Sequence, residues 1–169
     1  MTDTTSLPNG NGDDSSGAAQ PAQGTHPLLA IKAQYVKDLS FENPRAPASL
    51  QAVQSPPAVQ ITVNVSAQRL TESDYEVTLT INAHAKIGED ALFLVELTYG
   101  GIVAVGNVAA EHLRPILLIE APRLLFPFAR NIIADATREG GFPPLLIQPV
   151  DFVDLYRRDV AQQSQARNA

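Results

Sequence analysis

Val59, Ile61, Val63, Val65 and Ala67 alternate with Gln60, Thr62, Asn64 and Ser66. Period two marks a strand with one apolar and one polar face. Tyr75, Val77, Leu79, Ile81, Ala83 and Ala85 repeat the pattern against Glu76, Thr78, Thr80, Asn82, His84 and Lys86. A further run, from about Ala91 to Val105, sets Phe93, Val95, Leu97 and Tyr99 against Leu94, Glu96 and Thr98. Gly88-Glu89-Asp90 is turn chemistry and makes the last two strands a hairpin. Gly100-Gly101 reads as a bulge in the last strand.

A first strand is expected from about Leu28 to Asp38, with Leu29, Ile31, Ala33 and Tyr35 on one face and Lys32 and Gln34 on the other. After Tyr35 the parity breaks: Val36, Leu39 and Phe41 fall off the register, so a bulge or bend redirects the strand's end. Residues 42–58 hold Pro44, Pro47, Pro56 and Pro57, too much proline for a central strand, and form a crossover connection. Three hairpin-connected strands plus one tied in by a long connection predict a Greek-key sheet with the first strand beside the fourth.

The polar outer faces leave one side of the sheet wet, so helices must cover the other. Residues 112–133 supply them: Leu113, Ile116, Leu117, Leu118, Ile119, Leu124, Leu125, Phe126, Phe128, Ile132 and Ile133 surround the helical wheel. A helix apolar on all sides is buried on all sides, and one small sheet covers only one of them. An oligomer follows. Pro115, Pro122 and Pro127 predict separate segments or kinks. Gly140-Gly141 ends the helix, and residues 142–149 run as an extended apolar loop. Asp151 is placed as N-cap of a last helix carrying Phe152, Leu155, Tyr156 and Val160, with Asp154 at its third position. The fold class is thus α+β.

Composition adds the ends. Residues 1–27 have three acids, no Lys or Arg and little apolar content, and are expected to be a disordered tail before a domain at 28–161; residues 162–169 are expected as a flexible C-terminal tail. The chain shows no signal-peptide pattern and no run of about 18 apolar residues, so a cytoplasmic protein without membrane insertion is expected. Zero cysteines exclude disulfides and thiolate chemistry. Residues 28–169 hold 12 Lys and Arg against 15 Asp and Glu, which argues against nucleic acid as a partner.

No catalytic or metal constellation emerges. His26, His84 and His112 are scattered, neighbours Glu111 and His112 point apart on a helix, and no Lys-Ser/Thr follows the glycines as a phosphate loop requires. No enzyme, cofactor or metal is expected. The rival class is a helix-on-sheet thioesterase or small apolar-ligand protein, which requires an acid or His on the inward parity; none is there.

Four stretches together carry a resemblance: YVKDLSFENP at 35–44, FLVELTYGGIVAV at 93–105, LFPFARNII at 125–133 and GFPPLLIQPVDFVDL at 141–155. Over residues 29–157 the chain resembles the SecB family of bacterial export chaperones. The resemblance implies a homotetramer, a dimer of dimers, that holds unfolded precursor proteins and delivers them to the SecA ATPase. It implies SecA docking through Asp38 and Glu42 with Leu94 and Glu96, on the polar face of the sheet and the end of the first strand. It further implies an apolar client groove between the sheet edge and the loop before the last helix, with Phe93, Val95, Leu97, Tyr99, Phe142, Leu146 and Tyr156 as candidates. The chain departs from the pattern at its end: familiar members often close with an acidic tail that also contacts the zinc-bearing end of SecA, whereas residues 162–169 carry Arg167 and no acid.

Overall fold

The computed structural model describes residues 28–51 and 56–168, so the expected N-terminal tail lies outside the described residues. Strands β1 (Leu29–Glu42), β2 (Ala58–Arg69), β3 (Asp74–Ile87) and β4 (Asp90–Val105) form one antiparallel sheet in the order β1-β4-β3-β2. A helical run follows: α1 (Ala110–Pro115), a π turn (Ile116–Glu120) and α2 (Ala121–Glu139). Helix α3 (Phe152–Asn168) closes the chain. Residues 162–168, expected as a tail, are the continuation of that helix.

The clean alternation of β3 and β4 becomes a clean division of faces. Val77, Leu79, Ile81, Val95, Leu97 and Val103 are fully buried and lie beneath Leu125, Ile133 and Phe152. Each such side chain contributes about 1.5–3 kcal/mol on leaving water. The hairpin turns on Gly88, whose φ of +59° suits the first central position of a two-residue turn between Ile87 and Asp90.

Strand β1 is less regular than its sequence reading. Its register with β4 slips twice, between Ile31 and Ala33 and between Val36 and Asp38, so Lys32 and Lys37 are extra residues. Directly opposed residues of an antiparallel pair share a face. Leu29 and Ile31 therefore lie on the core side with Val105 and Val103, but Ala33 and Tyr35, opposite Ile102 and Gly100, lie on the polar side. The assignment of Ala33 and Tyr35 to the face of Leu29 is corrected by the first bulge. Gln34 changes sides with them and accepts a hydrogen bond from the Tyr99 hydroxyl at 3.3 Å. The second bulge, expected after Tyr35, restores the original parity for Leu39 and Phe41, and the strand runs on to Glu42.

Gly100-Gly101 is no bulge either: both positions pair in register with β1 and β3. The glycines make room. A Cβ on Gly100 would sit 2.7 Å from the Tyr35 ring on the polar face, and one on Gly101 would sit 2.7 Å from Leu125 of α2 on the core face.

The helical run is continuous through its prolines. Pro115 and Pro122 each lack the N–H that an α-helix would use, and between them Ala121 donates to the Ile116 carbonyl across a π turn. Helix α2 stops at Gly140, followed by Gly141 at φ +88°. The loop after it is tied back by Thr137, wholly buried, whose hydroxyl oxygen accepts from the Leu145 N–H at 2.9 Å. Asp151 caps α3, its carboxylate accepting from the Val153 and Asp154 N–H groups at 3.0 Å.

Candidate functional site

The polar face of the sheet is ordered in rungs that cross its strands. One rung reads Glu42, Leu94, His84, Gln60; the next Ser40, Glu96, Asn82, Thr62; the next Asp38, Thr98, Thr80, Asn64. The four residues of the expected docking set, Asp38, Glu42, Leu94 and Glu96, thus fall within three successive rungs at one corner. All three acids are exposed, and none forms an ion pair among the described residues. Acids elsewhere on the face are matched. The two bulge lysines reach across β4 to β3, Lys32 to Asp74 at 2.7 Å and Lys37 to Glu76 at 2.9 Å. Negative charge is therefore neutralised along one part of the face and left open at the other.

Glu76 also accepts from the Tyr35 hydroxyl. That hydrogen bond, then the one from Lys37, hold its carboxyl below the usual range, while the same bond to Glu76 and partial burial push the Tyr35 phenol up. The lowered carboxyl gives stability that is present above its unfolded value and lost as pH falls through the folded one. The raised phenol gives stability that is present below its unfolded value and lost as pH rises through the folded one. Wild type should therefore exceed Tyr35→Phe in unfolding free energy between roughly pH 5 and roughly pH 9, with the gap narrowing on both sides. Urea unfolding of both proteins across pH checks this, and a gap independent of pH refutes the coupling.

The apolar surface lies on the opposite side. Helix α2 leans on β4 and β3, and the edge strand β2 is left largely uncovered: Val59 and Ile61 are 39% and 38% exposed. Between β2 and α3 run two adjoining cavities of about 420 and 440 Å³, which share Val65, Leu118 and Asp159 in their walls. Ile61, Val63, Leu155 and Tyr156 line the outer one. Arg114 braces the far wall, donating to the Gln163 side-chain Oε1 at 2.8 Å with its guanidinium 6.0 Å from the centre of the Tyr156 ring. This is an open trough beside an edge whose outer backbone groups have no strand partner among the described residues.

A second apolar cluster sits where β1 ends. The rings of Phe41, Phe93 and Phe142 meet with centroids 5.0–6.4 Å apart. Gly140 lets Phe41 approach the end of α2 where any Cβ would strike the ring.

The expected client residues separate into two groups. Phe93, Val95, Leu97 and Tyr99 are buried beneath the helices and belong to the core, because inward parity on a central strand is core parity. Tyr156 lines the trough, Phe142 is half-buried in the aromatic cluster, and Leu146 projects from the loop at 60% exposure. The trough residues of β2, Ile61, Val63 and Val65, were not among the expected set. Their signal was present in the hairpin connectivity, which leaves β2 at an edge that a helix packed on β4 does not reach.

A helix-covered antiparallel sheet with one bare polar face and an open trough beside an edge strand, apolar at Ile61, Val63, Leu155 and Tyr156 and polar at Thr62, Asn64, Arg158 and Gln162, defines a scaffold for binding protein segments. The comparisons agree. Residues 22–163 match the family model described as preprotein translocase subunit SecB. The chain is 51% identical to the protein-export protein SecB of a Bradyrhizobium species over 96% of this chain and 97% of that one. It is 54% identical to that of Sinorhizobium medicae over 95% and 90%. Among solved structures it shares its fold with the Mycobacterium tuberculosis SecB-like chaperone Rv1957 in complex with a ChAD peptide of the HigA1 antitoxin, with a TM-score of 0.61 and 12% identity, covering 73% of this chain and 91% of that one. The chain belongs to the SecB family and is a protein-export chaperone. No helix among the described residues is long and apolar enough to cross a membrane.

Proposed function

We propose that the protein holds unfolded precursors in the trough between β2 and α3 and hands them to the SecA ATPase, docked on the acidic corner of the polar face. The open trough beside an unpaired strand edge is the observation that carries the reading. An extended segment can add main-chain hydrogen bonds along β2 and drop alternate side chains against Ile61, Val63 and Tyr156, which asks little of its sequence. Phe142 and Leu146 offer a second apolar contact, and several modest contacts on one long client give avidity. The mycobacterial relative's bound peptide supports the same use of this fold.

We read the strand order as a Greek key and the working form as a cytoplasmic homotetramer, a dimer of dimers. Two exposed features support that reading. On α2, Leu124 and Phe128 are 48% and 51% exposed one turn apart, and the outer edge of β1 pairs with no strand among the described residues, with Val36 and Leu39 open beside it. Pairing of β1 with its twin makes an eight-stranded sheet, and helices packed between two such sheets cover Leu124 and Phe128.

SecA docking is tested by charge reversal. Asp38→Lys and Glu96→Lys should each weaken SecA binding by about tenfold or more at low salt, because they turn steering attraction into repulsion on an exposed face. Oligomer mass and client capture should stay at wild-type values. Unchanged affinity of both variants at low salt sinks the docking assignment.

A further inference from the structure

A depression of about 240 Å³ sinks into the polar face where the rungs Gln60-His84-Leu94 and Thr62-Asn82-Glu96 run side by side. Its walls are amide, hydroxyl and imidazole, with Leu94 as the apolar wall and the exposed carboxylate of Glu96 at the rim. His84 Nε2 is shut off from solvent and has no hydrogen-bond partner, the one buried side-chain nitrogen or oxygen of that kind among the described residues. Buried polar atoms are paired almost without exception, so an orphan marks a place where a partner is missing. The charge around it decides what kind. Among the described residues Glu96, Glu42 and Asp38 form no ion pair, whereas Asp74 and Glu76 are satisfied by Lys32 and Lys37.

We infer that this depression is the seat of one lysine or arginine side chain of the partner that docks on the polar face, and that His84 and Asn82 determine its specificity. The inference rests on the docking reading above and extends it from β1 and β4 onto β2 and β3. A long cationic side chain has an apolar stem and a head made only of donors. The stem packs along Leu94. The head donates to the Glu96 carboxylate, to the side-chain carbonyls of Asn82 and Gln60 and, once the imidazole turns its shielded Nε2 into the depression, to that nitrogen, which is an acceptor when the imidazole proton is on Nδ1. An anionic or purely apolar occupant would face three unpaired carboxylates or leave Nε2 unpaired.

His84→Phe keeps a ring and removes the nitrogen, and Asn82→Ala removes a second acceptor. Each should weaken SecA binding about tenfold, through faster dissociation and with the salt dependence unchanged, since a buried hydrogen bond to a charge is lost. Asp38→Lys, on β1 outside the depression, should instead slow association and alter the salt dependence. If Asp38→Lys binds weakly while both pocket variants dissociate at the wild-type rate, the pocket is wrong and the docking face stands. If Asp38→Lys also binds as wild type, the docking reading fails and the pocket with it. The unmodified protein offers a check that survives misfolding of a variant. Among three histidines, the Nε2 resonance of His84 should move when millimolar hexalysine is added, and an unmoved resonance overturns the inference.

Discussion

Gly101→Val destabilises the protomer by roughly 3 kcal/mol, the upper part of the usual cost of overpacking a core. The added Cβ alone lands 2.7 Å from a methyl of Leu125, and valine brings two further carbons. Leu125 is wholly buried among β3, β4 and α2, so it has no empty volume to swing into. The helix must lift from the sheet, which loosens the layer over Val95, Leu97 and Val103. The expected reading is a lowered urea midpoint with an unchanged slope. A variant within about 0.5 kcal/mol of wild type would show that α2 slides freely over the sheet. Gly88→Ala makes the contrast, because no atom lies within 4 Å of its Cβ and only backbone strain at positive φ opposes it, about 1–2 kcal/mol.

Ile61→Asp and Tyr156→Glu each reduce capture of an unfolded precursor by about tenfold or more while leaving the fold intact. Both side chains already reach solvent, Ile61 at 38% exposure, so a charge there stays hydrated in the free protein and folding changes little. When a client segment covers the trough, that charge must be buried without a partner, at a cost of several kcal/mol. Leu97→Glu tests the opposite case. Leu97 is fully buried, so this variant should lose folding rather than capture alone. Far-ultraviolet circular dichroism with sedimentation separates the outcomes, and wild-type capture by both trough variants would remove the trough from the mechanism.

The sheet was legible where period two runs unbroken, along β2, β3 and β4, because one wet face forces strict alternation. The bend after Tyr35 was visible as a break in parity. The earlier bulge at Lys32 was not, since Ala33 fits either face and Gln34 and Tyr35 are each amphipathic enough to sit on either side. Gly100-Gly101 misled for a different reason: what those glycines accommodate, the Tyr35 ring and Leu125, arrives from distant parts of the chain. The expected docking set was placed by resemblance, and its four residues share one face. Of the expected client residues, Phe93, Val95, Leu97 and Tyr99 have the parity of plain core and are buried as such, because the helices close over the central strands and leave the edge of β2 open.

Strand β1 carries two insertions that cancel. The first, at Lys32, inverts which side chains look outward; the second, at Lys37, inverts them back before Asp38 and Glu42. The orientation of those acids is therefore set by their pairing with Thr98 and Leu94, and each bulge loops out its lysine without disturbing the pairs on either side. Deleting either lysine alone would only close its own bulge, because Ile31 and Ala33, or Val36 and Asp38, already face consecutive residues of β4, so Asp38 and Glu42 would stay outward and Leu39 and Phe41 inward. Deleting both would likewise leave the phase whole and remove both cations that neutralise Asp74 and Glu76. The two deletions should therefore add, each removing one bulge and one ion pair, and neither depends on the other to keep the acids facing water.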